Sequence, residues 1–271
     1  MNSQYQVTEV RDGQEPTIFV INGFLSESHK DVDDWLSVVD EIYPLQRVLH
    51  LHWPSFSFKK LFKFDSESTL KSAISLAISM VSAKAVLSKT LLDAVAGWKD
   101  AIHKAEEAGS WLAKYIDSQD SRTFVLMGHS LGARVSCHAL KNLKRADSVH
   151  SMYLFGGAVS NKETWDGACA NHPKLKVINC FSENDYVLKF LYKVGTLFTN
   201  TPVGLKYIPK EPETLIYNVD LSHIVNGHTT YKNKKVGTCL KERVKLAPKG
   251  YLFLDSSILL KAARISRFLP F

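Results

Sequence analysis

The chain has 271 residues, 45% hydrophobic and 23% charged, a composition that excludes an intrinsically disordered protein and suits one large domain with a substantial core. Its four cysteines (Cys137, Cys169, Cys180, Cys239) are widely spaced, with no C-x-x-C pair and no metal-ligand rhythm, which excludes a disulfide framework and speaks for a reducing compartment. The formal charge of +7 is uneven: ten Lys/Arg and only Glu242 and Asp255 fall between Tyr231 and the end, leaving a near-neutral body and a basic tail.

Residues 1–14 are polar and mixed in charge, without a secretory apolar segment, and no stretch offers 18 uncharged apolar residues. The expectation is a cytoplasmic chain, with peripheral membrane contact or signal-less export as alternatives. Strands are predicted over Gln6–Val10 and Thr17–Ile21, and the latter runs into Asn22-Gly23-Phe24-Leu25, a turn in which Gly23 lets the backbone bend sharply. A helix is predicted over Asp31–Tyr43, with Val32, Leu36, Val39 and Ile42 at helical spacing, and a strand over Arg47–Leu51.

The stretch Ser55–Ala96 departs from strand–helix alternation. It opens with Phe56, Phe58, Lys59, Lys60, Phe62, Lys63 and Phe64 and continues with Ser72, Ser75, Ser79 and Ser82 at helical intervals. Residues 55–97 therefore read as a helical insertion before the next strand, either a lid or helices packed on the core. A helix over Trp98–Ile116 follows, with Trp98, Ile102, Ala105 and Ala108 on one face. Later strands are predicted at Thr123–Met127, Ser151–Phe155, Lys176–Phe181 and Leu215–Val219, with a helix over Leu131–Leu143. Apolar runs such as Thr-Ile-Phe-Val-Ile and Thr-Phe-Val-Leu-Met belong to strands covered on both faces, so the fold class is α/β with a mainly parallel sheet flanked by helices.

Chemistry enters at Gly128-His129-Ser130-Leu131-Gly132. The pattern Gly-x-Ser-x-Gly is weak alone, but here an apolar strand leads in and a helical pattern leads out, the setting of a nucleophile elbow. A serine on a sharp turn needs small neighbours, and Gly128 and Gly132 let strand and helix pass closely. The helix N-terminus then turns free N–H groups toward developing negative charge. His129 adjoins the nucleophile in a geometry that suits packing better than base catalysis.

A serine hydroxyl needs a histidine to take its proton and a carboxylate to orient that histidine. With chain order Ser, acid, His, the loop Ser182-Glu183-Asn184-Asp185 after the strand Lys176–Phe181 supplies Asp185 as the acid, with Glu183 in reserve. Of ten histidines only His223 and His228 follow it. His228 lies in a polar loop after a glycine and is preferred; His223, in Leu-Ser-His-Ile-Val, has the more apolar setting of a packed residue. The two oxyanion donors are expected at the N–H groups of Leu131 and Phe24.

The segments Ile21-Asn-Gly-Phe-Leu25, His50-Leu-His-Trp53, Met127–Arg134, Leu154-Phe-Gly-Gly-Ala158 and Gly227-His-Thr-Thr-Tyr231 resemble the transmembrane-and-coiled-coil-domain hydrolase-like family of the α/β-hydrolase superfamily. The resemblance spans roughly residues 16–231. It implies a lipase-like or esterase-like fold and membrane association in many members, with Ser130, Asp185 and His228 in the nucleophile, acid and base positions. This chain departs from larger members in lacking obvious membrane spans and in its basic extension over 232–271.

The reaction implied is hydrolysis of a carboxylic ester through an acyl-enzyme, without a metal or organic cofactor, most naturally on a lipid. The alternatives are a short-chain esterase or thioesterase and, in another class, an inert α/β-hydrolase-fold binding module. Lipid is favoured by the Phe/Lys-rich opening of the insertion. It is favoured too by the segment Ile258–Leu269, where Lys261, Arg264 and Arg267 oppose Ile258, Leu259, Ile265 and Leu269 as in an interfacial helix. The basic tail suits an anionic membrane surface; no nucleic-acid module accompanies it.

Overall fold

The computed structural model describes residues 4–23, 32–54, 89–120, 122–162, 172–195, 200–209 and 215–245. Its strands are β1 (Gln6–Arg11), β2 (Gln14–Ile21), β3 (Gln46–His52), β4 (Phe124–His129), β5 (Val149–Phe155), β6 (Lys176–Phe181) and β7 (Leu215–Asp220). They form one sheet in the order β1-β3-β2-β4-β5-β6-β7, with β1 antiparallel to β3 and every other pair parallel. The helices are α1 (Asp33–Ile42), α2 (Lys89–Asp117), α3 (Leu131–Asn142), α4 (Tyr186–Gly195) and α5 (Lys234–Lys245).

The inner strands, such as Thr17–Ile21 of β2 and Phe124–Met127 of β4, are buried on both sides because helices cover both faces. On one face Phe19, Ile21, Leu49, Leu51, Phe124, Leu126 and Leu154 pack against Ala101, Ala105, Ala108 and Leu112 of α2 and Ala133 and Leu140 of α3. On the other, Ile18, Val20, Val48, Val125, Met127 and Phe155 meet Trp35, Val38 and Val39 of α1 and Val236 and Leu240 of α5. Alternate residues of these inner strands thus feed two separate cores, so the polar-every-second-residue pattern of a half-exposed strand is missing from them. This is the α/β-hydrolase architecture, a mainly parallel sheet between two helical layers.

Two helices lie where periodicity alone gave none. The α4 segment is short but two-sided, with Val187, Leu188 and Tyr192 buried and Tyr186 and Lys189 exposed. The α5 segment, grouped by charge with the basic extension, has a narrow apolar stripe: Val236 and Leu240 are buried, and Gly237 brings the helix against the Val38 carbonyl and the Glu41 side chain of α1. Lys234 and Lys241 face Glu41 at 3.7 and 3.9 Å, so part of the basic charge is answered within the body. Residues 89–97, read with the insertion, are instead the first turns of α2. Residues 55–88 and 246–271, including the segment Ile258–Leu269, lie outside the described residues.

From β2 the chain moves outward to β3, then crosses back to β4 on the other side of β2. The order reverses between β2 and β4, and at such a switch point the loops leaving the carboxyl ends of the two strands part to opposite faces and open a crevice. Gly23 and Ser130 stand at those two ends.

Candidate active site

Ser130 joins β4 to α3 with φ 58° and ψ −120°, a conformation that costs a serine on the order of 1–3 kcal/mol and persists only where its surroundings impose it. They do so through the backbone. The Ser130 N–H donates to the Phe155 carbonyl at 2.9 Å, and the Ser130 carbonyl accepts from Ala158 N–H at 3.0 Å and Ala133 N–H at 3.1 Å. The flanking glycines are sterically required. A Cβ on Gly128 would stand 2.5 Å from the Ala133 nitrogen, and one on Gly132 would stand 2.2 Å from the Ile21 carbonyl oxygen. Gly23 serves the same junction from the β2 side, since a Cβ there would meet the Ser130 Cβ at 2.6 Å and the Leu131 nitrogen at 2.9 Å. The backbone leaving β2 therefore presses directly on the elbow. Leu131 is the first residue of α3, where helix N–H groups have no intrahelical acceptor; Phe24 lies outside the described residues.

Asp185 ends the loop after β6 and caps α4. One carboxylate oxygen accepts from the Leu188 N–H at 2.9 Å, and the other accepts from His228 Nδ1–H at 2.7 Å. Held by the Leu188 N–H at the helix N-terminus, the carboxylate fixes which imidazole nitrogen carries the proton. Both side chains are buried, at 0% and 2% exposure. Glu183, the reserve acid, is exposed, and only its backbone is held, by the Ser222 hydroxyl at 3.0 Å. The Tyr231 hydroxyl sits between the Asp185 carboxylate and the Gly204 carbonyl (3.3 Å); burial first, and then the neighbouring Asp185, hold its phenol well above its ordinary pKa. It stays a neutral donor beside the carboxylate.

His228 stands on a short 3-10 turn, His228–Thr230. With Nδ1–H committed to Asp185, the neutral ring presents its lone pair at Nε2. Its backbone is tied to the elbow: His129 Nε2–H donates to the His228 carbonyl at 2.7 Å, and the two rings lie 4.7 Å apart. His129 is kept neutral, its pKa far below the usual imidazole value through burial, then His228 and Lys232. Sequence placed His129 as a packed elbow residue; the clamp on His228 went unread because its acceptor lies 99 positions away. His223 is exposed, not packed as its apolar neighbours suggested, and lines a separate groove with Ile224, Lys235, Cys239 and Arg243. The structure brings Asp185 and His228 together at the elbow and leaves Glu183 and His223 outside.

Beneath the crevice, His50 (3% exposed) has its pKa lowered to about 3 by burial, then by His52 and Lys232. An unfolded His50 binds its proton near pH 6.5 while the folded one refuses it, so stability is fully present above that pH and falls by about 1.4 kcal/mol per unit as pH drops toward 3. His129 acts in the same direction. Urea unfolding followed from pH 7 to 4.5 is expected to show this decline, and His50→Gln to reduce its slope by about one proton. An equal slope in the variant would refute the assignment.

An uncharacterized membrane protein of Caenorhabditis elegans is 32% identical over 186 residues, covering 66% of this chain and 29% of that protein. A transmembrane and coiled-coil domain-containing protein of Oryza sativa subsp. japonica is 30% identical over 141 residues, covering 49% of this chain and 21% of that protein. The chain thus spans less than a third of the length of these curated relatives. Among solved structures, a predicted CIB-like hydrolase from Thermoplasma acidophilum aligns with 90% of this chain and 94% of its own, at 12% identity and TM-score 0.42. No helix among the described residues is long and apolar enough to cross a membrane. The model of the family described as "Protein of unknown function (DUF726)" matches residues 42–245, from the end of α1 to the end of α5, and the chain belongs to that family.

Proposed function

We propose that this chain is a serine hydrolase of carboxylic esters, acting on lipid esters. The observation that carries the proposal is the buried Asp185–His228 pair at 2.7 Å, tied through His129 to the elbow that bears Ser130. Ser130 Oγ attacks the acyl carbonyl while His228 Nε2 takes its proton, and Asp185 stabilises the imidazolium that results. The tetrahedral oxyanion rests on the Leu131 N–H, with Phe24 proposed from the sequence as the second donor. Collapse of that intermediate breaks the bond to the alcohol, which leaves with the proton from His228. Water, deprotonated by His228, then attacks the acyl-enzyme; the acid is released, the proton returns to Ser130, and the cycle closes.

The preference for lipid draws on the membrane proteins among the relatives and on the basic residues between 246 and 271, whose charge suits an anionic bilayer. The test is a panel of esters and thioesters of increasing acyl length, offered in solution and in anionic vesicles, with Ser130→Ala as control. Release of fatty acid that rises with acyl length and with vesicle presentation, and weakens with salt, is expected. A preference for short soluble esters, indifferent to vesicles, would move the substrate class to an esterase or thioesterase. No turnover and no fluorophosphonate label on Ser130 would leave only a binding module.

A further inference from the structure

The triad leaves unused three features that recur around the crevice: Asn22, the pair His50 and Trp53, and Lys232. All of them meet at Asn22, which is 4% exposed. Its side-chain oxygen accepts from Trp35 Nε1–H at 2.8 Å and from Lys232 Nζ at 3.0 Å. Its amide Nδ2 faces His50 Nε2 at 3.3 Å, where the unprotonated His50 ring accepts. Its backbone carbonyl accepts from Trp53 Nε1–H at 2.8 Å. The Asn22 side chain and the peptide plane leading to Gly23 are therefore fixed from four sides, and at Gly23 the backbone runs so close to the elbow that an added Cβ would meet the Ser130 Cβ and the Leu131 nitrogen.

Lys232 adds the connection across the crevice. It follows the turn that carries His228 and the residue Tyr231 that meets Asp185, yet its ammonium reaches back to α1 and β2. There it pairs with Asp34 and lies 5.4 Å from the centre of the Trp35 ring. With 13% of its side chain exposed, it is a member of the folded body and not of a solvated tail. One half-buried cation thus ties the turn that carries His228 to Asn22, just after β2. A cation placed only for solubility would not be sunk between an indole face, a carboxylate and a buried amide.

We infer that Lys232 and Asn22 are positioning residues that hold the Asn22–Gly23 segment after β2 and the His228 turn in one fixed relation to Ser130. The inference rests on the hydrolase reading above for its catalytic consequence, and on geometry alone for its structural one. A single variant separates the two. Lys232→Met keeps the aliphatic stem and removes the charge, and Lys232→Arg restores a donor.

In spectra of indole-labelled protein, Lys232→Met is expected to shift the Trp53 Nε1–H resonance as well as that of Trp35, because both bond to Asn22, while Trp111 stays in place. The same variant is expected to lower kcat and the rate of fluorophosphonate labelling of Ser130 about tenfold with little change in KM, and Lys232→Arg to recover most of the loss. A Trp53 resonance that does not move in Lys232→Met overturns the coupling through Asn22, and labelling at the wild-type rate overturns its role in positioning. Absence of labelling in the wild type would instead count against the hydrolase reading, with the indole spectra still deciding whether the two loops are joined.

Discussion

Ser130→Ala is expected to lower ester turnover by about 10⁵–10⁶-fold and to abolish fluorophosphonate labelling, with the fold intact. The expectation follows from how the elbow is held. Its strained backbone is fixed by peptide hydrogen bonds to Phe155, Ala158 and Ala133, none of which involves the Ser130 hydroxyl. Alanine tolerates φ 58° no better than serine, so the strain is the same in both and the unfolding midpoint should shift little. Asp185→Asn is the companion measurement. The amide still accepts from Leu188 N–H but no longer supplies a charge to fix and stabilise the His228 ring, and a loss of about 10⁴-fold in kcat is expected. Variants of both positions that turn over substrate at the wild-type rate would place the chemistry elsewhere.

Gly132→Ala is expected to damage the fold severely despite its small size. Helix propensity by itself favours alanine over glycine inside a helix by about 1 kcal/mol, so α3 taken alone would be strengthened. The tertiary setting reverses the sign. The new methyl would stand 2.2 Å from the Ile21 carbonyl oxygen and 2.9 Å from the Asn22 carbonyl oxygen, both backbone atoms. Ile21 cannot yield readily, because it is paired with Leu51 of β3 on one side and Gly128 of β4 on the other. Either α3 moves off the sheet, taking Ser130 and Leu131 with it, or the central strands part. A net loss of about 3 kcal/mol in urea unfolding is expected, with Ser130 labelling slowed even in the fraction that stays folded. A variant as stable as the wild type would mean that α3 does not cross the end of β2 as closely as described.

These two positions mark how differently the fold and the site can be read from sequence. The strands were legible because burial on both faces writes an unbroken apolar run. Lys176–Phe181 agrees at both ends, and Leu215–Val219 is one residue short of β7. The helix read from Trp98 begins at Lys89, because residues 89–97 read as part of the insertion. The helices α4 and α5 went unread for different reasons, one only ten residues long and the other with so few apolar residues that its charge hid its buried stripe. Charge composition misplaced Lys232 in the same way, since counting cations says nothing about which of them are sunk against an indole.

Sequence by itself determined the α/β layering, the elbow at Ser130, and the order in which a carboxylate and a histidine had to follow it. Each of these is written in local periodicity or in the steric demand of a turn, and neighbouring residues are enough to state it. Tertiary structure alone decided that Asp185 rather than Glu183 meets His228, that His129 grips the backbone of His228, and that Trp35, His50, Trp53 and Lys232 converge on Asn22. Those contacts join residues up to 210 positions apart. The reversal of strand order between β2 and β4 gathers them at one end of the sheet, and nothing in the local pattern of any one segment records where the others will lie.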